Sequence, residues 1–453
     1  MPDKPFAPPE RVYVSRMDLG KLLASFGQSH LLAASEHLPP SARNHLQQQL
    51  ATVPWSEVVQ AHQSTGHKSI KTGTPTTEIF PANAECPSLQ ERDSLRRSGL
   101  ELLSQGKAAF VLMAGGQGSR LGFSGPKGAA PLGLPNDWTL FDLLTRRIAR
   151  LGAIVGKPLP FLIMTSPEND AATRAWFQDQ DILPHGSVRF FQQGVLPALD
   201  EAGRALLATP DSLALAPDGN GGIFQALARS GCLEELAASG VEWLHIAGVD
   251  NALSLPCDPV FLGFVKASGF AVASKSVLRD NPAEKAGVFR EDQNGNGGVA
   301  EYTELGELAG KLASDGGLLY REANIASHLV RLDAARHFAA KGLPWHLARK
   351  KLPHLDPETG RPRQDLVCKY ERFLFDAFPL AGKMAILRVE RDDEFAPVKN
   401  AEGADSPASA LAALRQQAQK WKSAWTALSE DDPRRKSEIV NPLDSLWGEP
   451  PKA

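Results

Sequence analysis

The sequence predicts an α/β fold: a mostly parallel, mixed β-sheet flanked by helices, with a helical region before it and a short extension after it. Short apolar runs of strand length recur through the middle of the chain, at 108–114, 161–165, 188–191, 213–216 and 243–248. Polar, helix-compatible stretches such as Thr139 to Leu151 and Asn169 to Phe177 lie between them. Continuous apolar strands alternating with helices form parallel sheets buried on both faces. Glycine-rich stretches also follow two of the runs directly, as expected where a strand must turn tightly into a ligand-facing loop.

Ahead of the first run, residues 1–105 are polar. Leu22 to Leu32 and Leu46 to Val59 have helical spacing, Pro39-Pro40 and Pro81 interrupt it, and a loop is expected near 62–88. From about residue 268 the pattern changes to alternation. Phe270 to Leu278, Gly287 to Arg290 and Gly298 to Glu304 read as antiparallel additions, with a hairpin turn at Gly295-Asn296-Gly297-Gly298. Residues 384–390 form one more alternating strand, and Ala408 to Leu428 has helical spacing. These shifts divide the chain into a helical N-terminal region (1–105), a sheet-bearing domain (106–383) and a short C-terminal region (384–453).

Composition narrows the function classes. The chain has 453 residues, 42% hydrophobic and 22% charged, with a net charge of -3. That balance carries no nucleic-acid footprint, so phosphate-bearing ligands must be met by local cations. The four cysteines are dispersed, and none forms a Cys-x-x-Cys pair, which argues against a zinc site or a disulfide framework. The N-terminus lacks the apolar core of a signal peptide, and no apolar run reaches the ~18 residues of a spanning helix. A cytoplasmic protein with no membrane partner is expected.

The most informative segment is Leu112-Met113-Ala114-Gly115-Gly116-Gln117-Gly118-Ser119-Arg120-Leu121-Gly122, followed by Pro126-Lys127-Gly128. Glycines directly after a buried strand let backbone N–H groups approach a polyphosphate, and Arg120 and Lys127 add fixed positive charge for the same anion. The spacing is one residue too long for a dinucleotide fingerprint, and Lys127 lacks the flanking residues of a P-loop.

This loop resembles the signature of the eukaryotic-type UDP-sugar pyrophosphorylase family, and within it the UDP-N-acetylglucosamine pyrophosphorylases: Ala-Gly-Gly-x-Gly-Thr-Arg-Leu-Gly, then Pro-Lys. Ser119 stands where the family has Thr and keeps the hydroxyl. The likeness continues in register through Phe190-Phe191-Gln192-Gln193-Gly194, Pro217-Asp218-Gly219-Asn220-Gly221-Gly222, Val249-Asp250-Asn251, Glu301-Tyr302, Asn324-Ile325-Ala326-Ser327 and Glu394-Phe395-Ala396-Pro397-Val398-Lys399-Asn400. It implies a Rossmann-like, nucleotide-diphospho-sugar transferase type of fold, with 106–383 as the catalytic nucleotidyltransferase domain.

The resemblance also implies roles. Gly115, Gly116, Gly118 and Ser119 would cradle UTP, with Arg120 and Lys127 on its phosphates. Gln193 would read the uracil edge, where an amide offers donor and acceptor together. Gly219 would lie against the base, and Asn220 would meet a sugar hydroxyl or the acetamido group. Glu301 and Asn324 would bind sugar hydroxyls. Lys399 would reach the phosphates, and Asp250 would hold Mg²⁺ as a single hard carboxylate. The implied reaction joins UTP to a sugar 1-phosphate, N-acetylglucosamine 1-phosphate or glucose 1-phosphate, and releases pyrophosphate. The attacking phosphate oxygen is already ionised at neutral pH, so positioning and charge neutralisation suffice and no general base is needed. A broad UDP-sugar pyrophosphorylase and, remotely, a non-catalytic nucleotide-sugar-binding protein are the alternatives. Oligomeric state is left open. Ser327 departs from the family's second Asn, and only 53 residues follow Asn400, which implies a shortened C-terminal region.

Overall fold

The computed structural model describes residues 16–66, 80–81, 87–134, 137–184 and 186–426. They divide into two compact units. One comprises Met1–Thr72, Gln193–Gly222 and Leu343–Leu374; the other comprises Gly73–Gln192, Ile223–Gly342 and Phe375–Ala453.

The first unit packs four helices, Arg16–Ser25, Ser29–Ser35, Pro40–Thr52 and Trp55–Gly66, with a long antiparallel hairpin, His346–Leu355 against Pro362–Glu371. The Leu22 to Leu32 stretch is two helices, because Gly27 adopts φ +71 between them. Pro54 likewise separates the next two, and Trp55 donates its indole N–H to Leu50 O at 2.9 Å across the break. Leu19, Leu23, Leu31, Leu46, Leu50, Trp55 and Val58 close a core with Leu196, Leu199, Cys368 and Tyr370. Residues 213–216 do not join the main sheet as expected. Ser212–Leu213 pairs with Leu207–Thr209, and Leu215–Pro217 pairs with Val195–Pro197, as two local antiparallel pairs.

The second unit is built on a ten-stranded sheet. Its strands are β1 (Phe80–Pro81), β2 (Ala108–Met113), β3 (Phe161–Thr165), β4 (Val188–Gln192), β5 (Trp243–Gly248), β6 (Val272–Leu278), β7 (Val288–Glu291), β8 (Gly297–Ala300), β9 (Glu322–Arg331) and β10 (Ala385–Arg388). Strands β5, β2, β3 and β4 are mutually parallel neighbours in that order. β9 runs against β5; β6 and β7 run against β9; β10 is parallel to β6; β1 and β8 run against β7. Seven strands therefore point one way and β1, β8 and β9 the other, the mixed, mostly parallel sheet that the apolar runs imply. The alternation expected over 298–304 ends at Ala300, where a short helix, Tyr302–Leu305, begins.

Two features hold helices on this sheet. Leu140–Val155 starts from a capping box, with Thr139 and Asp142 each accepting the other's backbone N–H, and buries Leu140, Phe141, Leu143, Leu144, Ile148 and Leu151. Leu89–Ser104 and Pro259–Ser268 cross backbone to backbone: a Cβ on Gly99 would lie 1.9 Å from Pro259 O, and one on Gly263 2.0 Å from Leu95 O. Residues 407–426 form the C-terminal helix. Among the described residues no helix is long and apolar enough to cross a membrane.

Candidate active site

In open α/β sheets, ligands bind beyond the carboxyl ends of the parallel strands. β2 and β5 end side by side, with Met113 opposite Gly248 and Val249 N donating to Met113 O at 3.1 Å. The loop after β2 and the carboxylate after β5 therefore emerge at the same edge.

The loop is folded back on itself. Gly118 N donates to Gly125 O at 2.8 Å, and Lys127 N to Gly116 O at 3.0 Å. A Cβ on Gly118 would sit 2.8 Å from the Phe123 ring, whereas around Gly116 the space is open. Gly116, Ser119 and Arg120 are exposed and Gly115 is half-buried, so this backbone faces solvent where a ligand would lie. Among the described residues Arg120 has no ion-pair partner. Asn169 anchors the loop from beneath. It is buried, donates Nδ2 to Ala114 O at 2.8 Å and to Gly116 O at 3.3 Å, and accepts Ser166 N at 2.8 Å. Sequence reasoning missed Asn169. Its position at the start of a helix gives no sign that it serves a loop over fifty residues earlier.

Lys127 returns to the strand edge, its Nζ 3.8 Å from Asp250 Oδ2, with 18% and 32% of the two side chains exposed. Gly128 follows it, and a Cβ there would meet the Phe141 ring at 2.2 Å, so the turn is pressed onto the start of Leu140–Val155. Lys399 reaches the same edge by backbone stitching. Val398 N donates to Asp250 O at 2.8 Å, and Ala252 N donates to Ala396 O at 3.1 Å. Asn251 donates Nδ2 to Glu394 O at 2.7 Å and accepts Ala396 N at 2.9 Å. Lys399 leaves the chain one residue past that seam, with its Nζ 3.8 Å from Asp405 Oδ2 and both side chains well exposed.

Glu301 and Asn324 meet around Gly287. Asn324 N donates to Gly287 O at 2.8 Å, and a Cβ on Gly287 would lie 3.2 Å from Glu301 Oε1. Asn324 Oδ1 accepts Ala326 N at 2.9 Å, holding Ala326 at φ +54, so its NH₂ is left for a ligand. Ser327 is buried, and its hydroxyl bonds His245 Nε2 at 2.9 Å. The Ser-for-Asn departure is thus absorbed in the core.

Gln193, Gly219 and Asn220 belong to the first unit. Gln193 is half-buried directly after β4. Gly219 has φ +87, and a Cβ on it would lie 2.3 Å from Arg372 O, so only glycine fits. Asn220 Oδ1 accepts Leu374 N at 2.9 Å, which reserves that oxygen for the loop and leaves the NH₂ outward. Arg372 is fixed by stacking 3.6 Å from the Trp345 ring and by donating to Glu57 at 2.9 Å.

Among the described residues no group of three His, Cys, Asp or Glu side chains is placed to hold a metal. Asp250 offers a single, partly exposed carboxylate. That donor set fits a hard divalent ion completing its shell with phosphate oxygens and water, and does not fit a caged structural metal.

Backbone amides and cations gathered at the carboxyl edge of parallel strands suit a nucleotide or another phosphate-bearing ligand. Residues 60–436 match the family model described as UTP–glucose-1-phosphate uridylyltransferase. The chain is 34% identical over 459 residues to UDP-N-acetylglucosamine diphosphorylase 1 of Arabidopsis thaliana, covering 96% of this chain and 90% of that protein. It is 35% identical over 388 residues to UDP-N-acetylglucosamine pyrophosphorylase of Saccharomyces cerevisiae, covering 81% of each. Its structure resembles the crystal structure of the uridine diphosphate N-acetylglucosamine pyrophosphorylase from Trypanosoma brucei in complex with inhibitor, with a TM-score of 0.80 and 29% identity, over 96% of this chain and 91% of that one. The chain belongs to this uridylyltransferase family and is an enzyme of the UTP:sugar-1-phosphate class.

Proposed function

We propose that this enzyme makes UDP-N-acetylglucosamine and pyrophosphate from UTP and N-acetylglucosamine 1-phosphate, with Mg²⁺ as the cation. The carrying observation is the Lys127–Asp250 juxtaposition at the ends of adjacent parallel strands, beside an open glycine loop. Arg120, Lys127 and the amides of Gly115, Gly116 and Ser119 hold the UTP phosphates and neutralise charge as pyrophosphate leaves, whereas Gly118, expected in the same cradle, is buried and gives its N–H to Gly125 O, so it shapes the loop instead. Asp250 holds Mg²⁺, which supplies further charge neutralisation on the phosphates. Lys399 orients the attacking sugar phosphate in line with the α-phosphorus. Gln193 and Gly219 take uracil; Asn220, Glu301 and Asn324 take sugar hydroxyls or the acetamido group. The choice of N-acetylglucosamine rests on the names of relatives 34% and 35% identical to this chain. A glucose 1-phosphate enzyme is the second reading, because the family model carries that sugar in its description. Initial rates of pyrophosphate release from UTP with a panel of sugar 1-phosphates test the assignment. Higher kcat/KM with N-acetylglucosamine 1-phosphate supports it, and a preference for glucose 1-phosphate replaces it.

A further inference from the structure

We propose that a buried network centred on Lys275 is the positioning device that sets Lys399 and Asp250 for uridylyl transfer; this rests on the roles just proposed for those two residues. Lys275 stands on β6 with 1% of its side chain exposed. Its Nζ donates to Asp258 Oδ2 at 2.6 Å and to Glu394 Oε2. Burial works against its charge, and the two carboxylates more than offset that, so its ammonium is held above the ordinary lysine range.

The two carboxylates tie different pieces of the catalytic edge together. Asp258 caps the helix Pro259–Ser268 by accepting Val260 N at 2.9 Å. Glu394 begins the segment that ends in Lys399. It is held by its side chain to Lys275 and by its carbonyl to Asn251, the residue after Asp250. Arg147, also buried, secures the same chain from another helix, donating Nη1 to Ala252 O at 2.7 Å and to Ser254 O at 2.8 Å. Burial pushes the Glu394 carboxyl up, against the pull of the Lys275 ammonium beside it.

Such a network is a poor device for stability alone. A buried ion pair gains little over apolar residues of the same volume, because desolvation offsets the attraction. It does impose geometry. A buried carboxylate has only the partners the fold provides, so Glu394 can occupy one place, and the stitched backbone transmits that place to Lys399. Lys275, Arg147, Asp258 and Glu394 are all buried, so in this proposal they act through Lys399 and Asp250.

The test is a double-mutant cycle in kcat with UTP and N-acetylglucosamine 1-phosphate. Glu394→Gln keeps the shape and removes the charge. It should lower kcat ~10-fold or more while leaving KM for UTP within about twofold, since small misplacements of a reacting group are costly. In the Lys399→Ala background the same change should lower kcat by clearly less than it does alone, ~3-fold or less, because the part of its effect that runs through Lys399 is already lost and only the part through Asp250 remains. If Glu394→Gln does not fold, Asn251→Ser, which cuts the stitch and leaves the charges intact, should show the same kcat-only loss and the same non-additivity. Multiplicative losses, or a loss confined to KM, overturn the positioning role while leaving the uridylyltransferase reading intact. A Lys399→Ala variant as fast as the unaltered enzyme overturns the role proposed for Lys399, and the positioning role with it, and leaves the uridylyltransferase reading intact.

Discussion

Replacing Lys127 with Met separates catalysis from stability most cleanly. Its ammonium lies 3.8 Å from Asp250, and 18% and 32% of the two side chains are exposed. A pair this accessible is screened by solvent, and its loss lowers stability by at most ~1 kcal/mol. Met keeps an unbranched stem and removes the charge. The catalytic role is a different matter. A fixed cation aimed at phosphate charge that develops as pyrophosphate departs is worth ~10²–10³ in rate, about 2.7–4 kcal/mol. Lys127→Met should therefore lower kcat/KM by ~10²-fold or more with a melting temperature only a few degrees lower. Continuous pyrophosphate release and a thermal melt on the same preparation measure both. A kcat/KM within threefold of the unaltered enzyme would refute the role. A large loss of rate accompanied by an equally large loss of stability would show that Lys127 is a structural residue.

Gly219→Ala tests the loop of the first unit: Ala must adopt φ +87 with its Cβ 2.3 Å from Arg372 O, so the loop must shift. The expected result is a ~10-fold rise in KM for UTP, and an unchanged KM would remove Gly219 from the nucleotide site. Stability should depend on pH through His245 and His328, both pushed down to about 3 from an ordinary 6.5 chiefly by burial. The folded state then binds fewer protons than the unfolded chain between those values. Stability is complete above pH 6.5 and falls below it, by ~1.4 kcal/mol per pH unit for each histidine. Melting temperature should hold from pH 7.5 to about 6.5 and drop from there to pH 5, and His328→Asn should flatten that slope; a flat profile over pH 6.5 to 5 in the unaltered protein would contradict the buried neutral state.

Strands β2 and β3 were legible as nearly continuous apolar runs, and β4 and β5 as short runs interrupted once each, by Arg189 and His245. The 213–216 run was not, because strand pairs of two or three residues satisfy the same apolar pattern as a sheet strand. Leu22 to Leu32 kept its helical spacing across a break that only the Gly27 backbone reveals. The glycine loop, Arg120, Lys127 and Asp250 were legible because their chemistry is local to a strand end. Asn169, Arg147, Lys275 and Glu394 were not. Each looks like an ordinary cap or surface charge, and its partner lies far along the chain. Glu394 in particular follows Arg391-Asp392-Asp393, a run that reads as a solvated face until the fold buries its last member.

The central claim is direct uridylyl transfer from UTP to a sugar 1-phosphate, held in place by charge and geometry with no covalent enzyme intermediate. Exchange of labelled pyrophosphate into UTP, with and without N-acetylglucosamine 1-phosphate, tests it most directly. Exchange only when the sugar phosphate is present is the expected result. Exchange without any sugar phosphate would demand a uridylyl-enzyme, and no exchange with any sugar phosphate would contradict uridylyl transfer itself.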